Sequence, residues 1–91
     1  LPAAASAQAM AATEAVIVDI DADGVYRING RQTQAGELIA SLRALHAQYP
    51  QRPLRVRADG ESSHAAVVRA MDAASQADFE RVEIATRGDK R

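Results

Sequence analysis

The residues with the clearest chemical potential are three aspartates at alternate positions, Asp19, Asp21 and Asp23, followed by Gly24. This order matches the D-x-D-x-D-G opening of a calcium-binding loop. Such a loop also needs a bidentate glutamate at its twelfth position, which is Gly30 here, and a helix on each side. Because neither requirement is met, the pattern predicts a strand that runs into an Asp-Gly turn, and no metal site.

A second group of reactive residue types comprises Ser62, Ser63 and His64, a few positions after Asp59. A catalytic triad needs three side chains that converge in space, whereas consecutive residues at a helix start point apart. No G-x-S-x-G motif accompanies them, and His46 and His64 alone are too few for zinc. We predict that one serine caps a helix, that His64 is exposed in its first turn, and that the chain has no catalytic or cofactor-binding residue.

Two arginines at alternate positions, Arg55 and Arg57, form a third candidate site. They share one strand face and could therefore receive an acidic partner. The more common arrangement is an exposed ion pair of small energetic value. Glu83 is the predicted partner within the chain.

A strand, helix, strand unit between residues 54 and 86 positions these side chains. Leu54, Val56 and Ala58 alternate with polar residues, as a half-buried strand requires, and the alternation returns at Val82 and Ile84. Between the strands, apolar residues recur at helical spacing: Val67, Val68, Met71 and Ala74. A crossover of this length predicts parallel pairing of the two strands.

The preceding segment predicts two further strands and a helix. Residues 16–20 and 25–28 alternate around the Asp-Gly turn, which indicates a hairpin. Thr33 is the predicted cap of a helix that ends before Pro50. The apolar face of that helix would comprise Leu38, Ile39, Leu42, Leu45 and Tyr49.

The order ββαβαβ predicts an α+β fold, a two-layer sandwich with a mixed sheet of four to five strands and two helices on one face. The other face of the sheet would remain exposed to solvent, because its residues are mostly polar. They are Ile17, Asp19, Arg55, Arg57, Arg81 and Glu83. We divide the chain into a flexible linker at 1–14, the domain at 15–87 and a frayed tail at 88–91.

Composition narrows the function classes. Eleven basic and twelve acidic residues leave a net charge of −1, so the basic footprint of a nucleic-acid-binding protein is missing. The 91 residues include no cysteine, which excludes disulfides and most structural zinc. A domain this small often needs another stabilising aid, and self-association is the one left.

The ordered set of these segments resembles the periplasmic domain of the ExbD/TolR family, the proton-motive-force coupling proteins of Gram-negative inner membranes. The family pattern is a strand, an Asp-Gly turn, a strand ending near N-G, a helix of L-x-x-x-L type, V-x-I-x-A-D, a helix of V-V-x-x-M-D type and a closing V-x-L-x-T strand. This chain has VIVDIDADG, YRING, ELIASL, VRAD, VVRAMD and VEIAT in that order. Leu1 and Pro2 resemble the L-P after the family's transmembrane helix, and we assign them to linker contact. Asp78 stands where the family commonly has glycine, which predicts a turn that is strained or differently shaped.

The resemblance implies a single-pass inner-membrane protein whose periplasmic domain is this chain, with the proton-carrying aspartate in a transmembrane helix outside these 91 residues. The implied partners are an ExbB-like membrane channel, reached through that helix, a TonB-like protein and a second copy of the chain. The implied role is energy transduction without enzyme activity or cofactor.

The last strand is the predicted contact surface for these partners. If it lies at a sheet edge, its unpaired backbone groups invite another strand, from a second copy or from an extended TonB segment. The predicted edge residues are Val82, Glu83, Ile84, Ala85 and Thr86. Two alternatives remain open: a TolR-like protein that binds peptidoglycan, and a plain structural dimerisation module.

Overall fold

Five strands and two α-helices make up the part of the chain that the structure, a computed structural model, describes, residues 14–87. The strands are β1 (Val16–Ile20), β2 (Tyr26–Ile28), β3 (Arg31–Thr33), β4 (Leu54–Asp59) and β5 (Val82–Arg87). The helices are α1 (Leu38–Gln48), which follows a 3₁₀ turn at Ala35–Glu37, and α2 (His64–Gln76). Nearly all of the predicted linker and tail lies outside the described residues. Neither described helix is long and apolar enough to cross a membrane.

The strands form one mixed sheet in the order β3-β2-β1-β4-β5. β1, β2 and β3 pair antiparallel, whereas β4 lies parallel to both β1 and β5. The parallel crossover predicted between β4 and β5 is therefore present. The five-stranded mixed sheet with two helices confirms the predicted α+β class.

The core lies between the sheet and the two helices. Burial alternates along β1 and β4, so that every second side chain enters the core and the intervening ones face the open side. The largest fully buried side chains are Val16, Val18, Ile20, Leu38, Leu42, Leu54 and Val56. α1 supplies two of them, and its Ile39 and Leu45 pack at the core margin, as the helical spacing predicts.

The prediction that Thr33 caps α1 is wrong, because Thr33 is the last residue of an additional strand, β3. Asn29 and Gly30 both adopt positive φ, 52° and 87°, and form a tight turn that folds β3 back on β2. An Asn-Gly pair is the residue choice that such a turn favours. The residue before the 3₁₀ turn is Gln34, whose side chain makes no capping hydrogen bond.

The apolar stripe predicted on α2 is displaced around the helix. Its buried face consists of the alanines at positions 66, 70, 73 and 74. Val67 and Met71 are only partly buried against the core, and Val68 is 49% exposed. Small side chains let a helix approach a sheet closely, so the larger ones occupy its flanks and outer surface.

Candidate functional site

β5 forms one edge of the sheet, with β4 as its neighbour. The Leu54 amide donates a hydrogen bond of 2.8 Å to the Arg81 carbonyl, which fixes which β5 backbone groups face β4. In a parallel pair, alternate residues direct both N–H and C=O to the same neighbour. The backbone groups of Val82, Ile84 and Thr86 therefore point to the outer edge, where no strand of residues 14–87 pairs with them.

The side chains of β5 present a different chemistry on each face of the sheet. Ile84 is the register partner of the fully buried Val56 and hence points to the helix side, yet it is 57% exposed. Val82, on the same face, is partly buried against the core. Glu83 lies on the open face, where it pairs with Arg55. A strand added beside β5 would thus meet three pairs of backbone groups and the apolar side chain of Ile84.

The opposite edge of the sheet is less suited to strand addition. β3 has only three residues and carries the exposed Arg31 and Gln32. Shortness and charge are the usual means by which edge strands avoid pairing with other chains. β5, with six residues, is the longer of the two edges. The structure therefore places the predicted residues Val82 to Thr86 on that edge, and their role as a contact surface stays a prediction.

The predicted arginine site is occupied by ion pairs within the chain. Nε of Arg55 lies 2.9 Å from Oε1 of Glu83, as predicted. Arg57 forms two hydrogen bonds with Asp19, of 2.8 Å from Nε and 3.0 Å from Nη2. The carboxylate of Asp19 raises the pKa of the Arg57 guanidinium above its ordinary value. These ion pairs connect β4 to β5 and β4 to β1 across the open face of the sheet.

The aspartate motif is a structural turn. Oδ1 of Asp21 accepts hydrogen bonds from the amides of Asp23 and Val25, at 2.9 and 3.0 Å, and Oδ2 accepts one from Arg27 at 3.1 Å. The Val25 amide, the Arg27 guanidinium and the Asp23 amide together lower the pKa of the Asp21 carboxyl below its ordinary value. Between residues 14 and 87, no cluster of three or more histidine, cysteine, aspartate or glutamate side chains could hold a metal ion.

The serine and histidine group has the predicted capping role. The Ser63 hydroxyl accepts a hydrogen bond of 3.0 Å from the Ala66 amide at the start of α2. The Ser62 hydroxyl donates to the Asp59 carbonyl at 2.7 Å. His64 is exposed in the first turn, and neither serine bonds to it. The remaining predicted residues, Leu1 and Pro2, lie outside the described range.

Sequence comparisons agree with this arrangement of elements. The family model described as biopolymer transport protein ExbD/TolR matches residues 1–89. No match was found among curated proteins. Since the family model covers almost the whole chain and the fold contains the elements that the resemblance implied, this chain belongs to the ExbD/TolR family of biopolymer transport proteins.

Proposed function

We propose that the chain is the periplasmic domain of an ExbD-like protein of the Gram-negative inner membrane. In this proposal, it works with an ExbB-type channel and passes the energy of proton flow to a TonB-type protein for transport across the outer membrane. The contact with the TonB-type partner is strand addition at β5. Family membership supports the energy-transduction role, and the edge position of β5 is the observation that carries the contact.

Backbone hydrogen bonding is the first argument for strand addition. An added strand can bond to the outward N–H and C=O groups of Val82, Ile84 and Thr86 without disturbing the existing pairing of β5 with β4. Such main-chain bonds supply affinity for an extended peptide of varied sequence. Because no other strand of residues 14–87 pairs with this edge, the domain need not rearrange to receive a strand.

The second argument is the exposed side chain of Ile84. It is one of only two large apolar side chains exposed on the described part of the chain, and it lies on the edge strand itself. An added strand would cover its outer side with an apolar residue at the facing position. Cross-strand pairs of this kind contribute roughly 0.2–1 kcal/mol each, enough to select among peptide registers.

A pair of proline substitutions tests the edge contact. Thr86→Pro removes an outward N–H, so the fold should survive while binding of a peptide from a TonB-type linker is lost. Ala85→Pro removes an N–H that points to β4, so it should destabilise the domain, because proline cannot donate to the ladder. The measurements are NMR titration of the labelled 91-residue chain with the peptide and thermal unfolding of each variant.

The wild-type chain should show peptide-induced changes in NMR chemical shift that are centred on residues 82–86. Shifts confined to other parts of the domain would contradict the proposed contact. Unchanged peptide affinity in a well-folded Thr86→Pro variant would contradict it as well, since the added strand would then not need this edge.

A further inference from the structure

A cleft beside the start of β5 is lined by two residues with buried nitrogen atoms that have no hydrogen-bond partner within residues 14–87. Its volume is about 450 Å³, and it lies between the loop that follows α1 and the loop that precedes β5. His46, Arg52, Glu80 and Arg81 supply its polar lining. The bond between the Leu54 amide and the Arg81 carbonyl holds these two loops side by side.

In the described part of the chain, the buried side-chain nitrogen atoms without a hydrogen-bond partner both belong to residues that line this cleft. Among residues 14–87, two buried side-chain nitrogen atoms make no hydrogen bond, Nδ1 of His46 and Nε of Arg52, and both residues line the cleft. A buried polar atom without a partner is costly, and native proteins rarely retain one without a reason. Nε of arginine can only donate, and Nδ1 of histidine donates in one neutral tautomer and when protonated. The Nη groups of Arg52 also make no hydrogen bond within residues 14–87 and are not buried, so they are the donors that a ligand with acceptor oxygens can reach in the cleft.

The side chains around the cleft are held in place before any ligand arrives. The guanidinium carbon of Arg52 lies 3.8 Å from the centre of the Tyr49 ring, and the His46 ring lies 4.8 Å from that of Phe79. Stacking of this kind reduces the conformational entropy that a side chain loses on binding. The side chains of Arg52 and His46 are therefore held in place where they line the cleft.

The charge of the cleft favours an anion. Arg52 and Arg81 outnumber Glu80, and none of the three forms an ion pair within residues 14–87. Arginine recognises carboxylates with paired hydrogen bonds that are about twice as strong as neutral ones. Glu80 weakens the positive field, so its removal should improve anion binding.

We propose that this cleft binds a carboxylate, namely an acidic side chain on an extended segment of a protein partner. The cleft adjoins Val82, the first residue of β5, so a strand added along the edge would carry such a side chain into it at one end. The identity of the carrier segment rests on the proposed function, whereas carboxylate binding in the cleft does not. The cleft would fix the end, and thereby the register, of the added strand.

The test uses probes too short to add a strand. The labelled 91-residue chain is titrated by NMR with N-acetyl-glutamate amide, with N-acetyl-glutamine amide, and with muramyl dipeptide as a cell-wall carboxylate. The glutamate probe should shift amides near residues 46–52 and 80–82 in a saturable way, and the glutamine probe should bind about fivefold or more weakly, since it lacks the charge.

Charge variants give the matched controls. Arg81→Gln should weaken binding of the glutamate probe about threefold or more, and Glu80→Gln should strengthen it. Arg31→Gln, the same charge change on the opposite edge of the sheet, should leave binding unchanged.

Three results would overturn the proposal: equal binding of the two amino-acid probes, equal effects of the Arg31 and Arg81 variants, or muramyl dipeptide binding far more tightly than the glutamate probe. Binding of the glutamate probe together with failure of the linker peptide to reach β5 would contradict the proposed function alone.

Discussion

Two residues other than glycine hold a left-handed backbone conformation within residues 14–87, and they do so for different reasons. Asn29, at φ 52°, accepts a hydrogen bond of 3.0 Å from the Ile17 amide through Oδ1. This bond ties the turn after β2 to β1. Asp78, at φ 71°, follows the C-cap residue of α2, and its carboxylate makes no hydrogen bond or ion pair with any residue in the described range. Backbone hydrogen bonds to Ser75 and Ala74 close the turn at Asp78, but its side chain adds no contact, whereas the side chain of Asn29 does.

Asp78→Gly should therefore stabilise the domain by about 0.5 kcal/mol, because glycine adopts positive φ without steric cost and a carboxylate at a helix C-terminus opposes the helix dipole. Urea unfolding monitored by circular dichroism measures the change. Asp78→Asn isolates the charge contribution, and Asn29→Gly is the matched control at the other left-handed residue. Asn29→Gly should destabilise, because it loses the bond to Ile17. A gain in stability from Asn29→Gly as large as that from Asp78→Gly would refute this account.

At the scale of the elements, α2 depends on a single side-chain cap at its start. Ser63→Ala removes the acceptor for the Ala66 amide and should cost about 1 kcal/mol of unfolding free energy. Ser63→Asp should retain most of the stability, since a carboxylate accepts the same bond and suits a helix N-terminus. Thermal unfolding of the two variants checks the difference. Equal losses in both would mean that the cap contributes nothing and that packing alone positions α2.

Sequence periodicity predicted the elements whose apolar residues alternate or recur at helical spacing. β1, β4 and β5 and the buried face of α1 fall in this class. β3 was missed because Arg31, Gln32 and Thr33 bury little, so its pairing follows from the Asn-Gly turn and leaves no hydrophobic pattern. The orientation of α2 was misjudged because its contact with the core uses alanine, which a hydrophobicity pattern weighs less than Val68 and Met71.

The candidate sites were likewise predicted only where the sequence carries a local signal. Position on the last strand was enough to predict the β5 edge, and the aspartate and serine motifs were correctly assigned to a turn and a cap. The cleft was not predicted, because His46 comes from α1 whereas Arg52 and Arg81 come from two loops that are distant in sequence. The spacing of Tyr49 and Arg52 in the first loop was the one local signal, and such a pair does not by itself indicate a site.

At the scale of the whole molecule, the proposed dimer and the proposed partner complex need the same surface. The described part of each chain has one long sheet edge with outward backbone groups, so a second copy paired through β5 would occupy the groups that a partner strand requires. A closed pair of this kind is symmetric, with β5 of each copy facing the other. The two states should therefore exclude one another at any given edge.

Adding a TonB-type linker peptide to a concentrated solution of the chain should consequently convert dimer to monomer, measured by sedimentation velocity. Ile84→Lys should lower both the dimer fraction and the peptide affinity, since a lysine on an edge strand opposes pairing. The change should alter folding stability by no more than about 0.5 kcal/mol, because exposed substitutions are usually that mild.

Val68→Lys is the matched control for that variant. Val68 is the other exposed large apolar residue of the described range, and it lies on α2 away from the edge strand. The Val68→Lys substitution should leave both dimerisation and peptide binding unchanged. A peptide that binds the dimer without dissociating it, or a Val68 variant as defective as the Ile84 variant, would show that the two assemblies do not share β5. Dissociation of the dimer by the peptide would instead mean that dimer formation and partner binding compete for β5. The concentration of partner strands alone would then decide which of the two states forms.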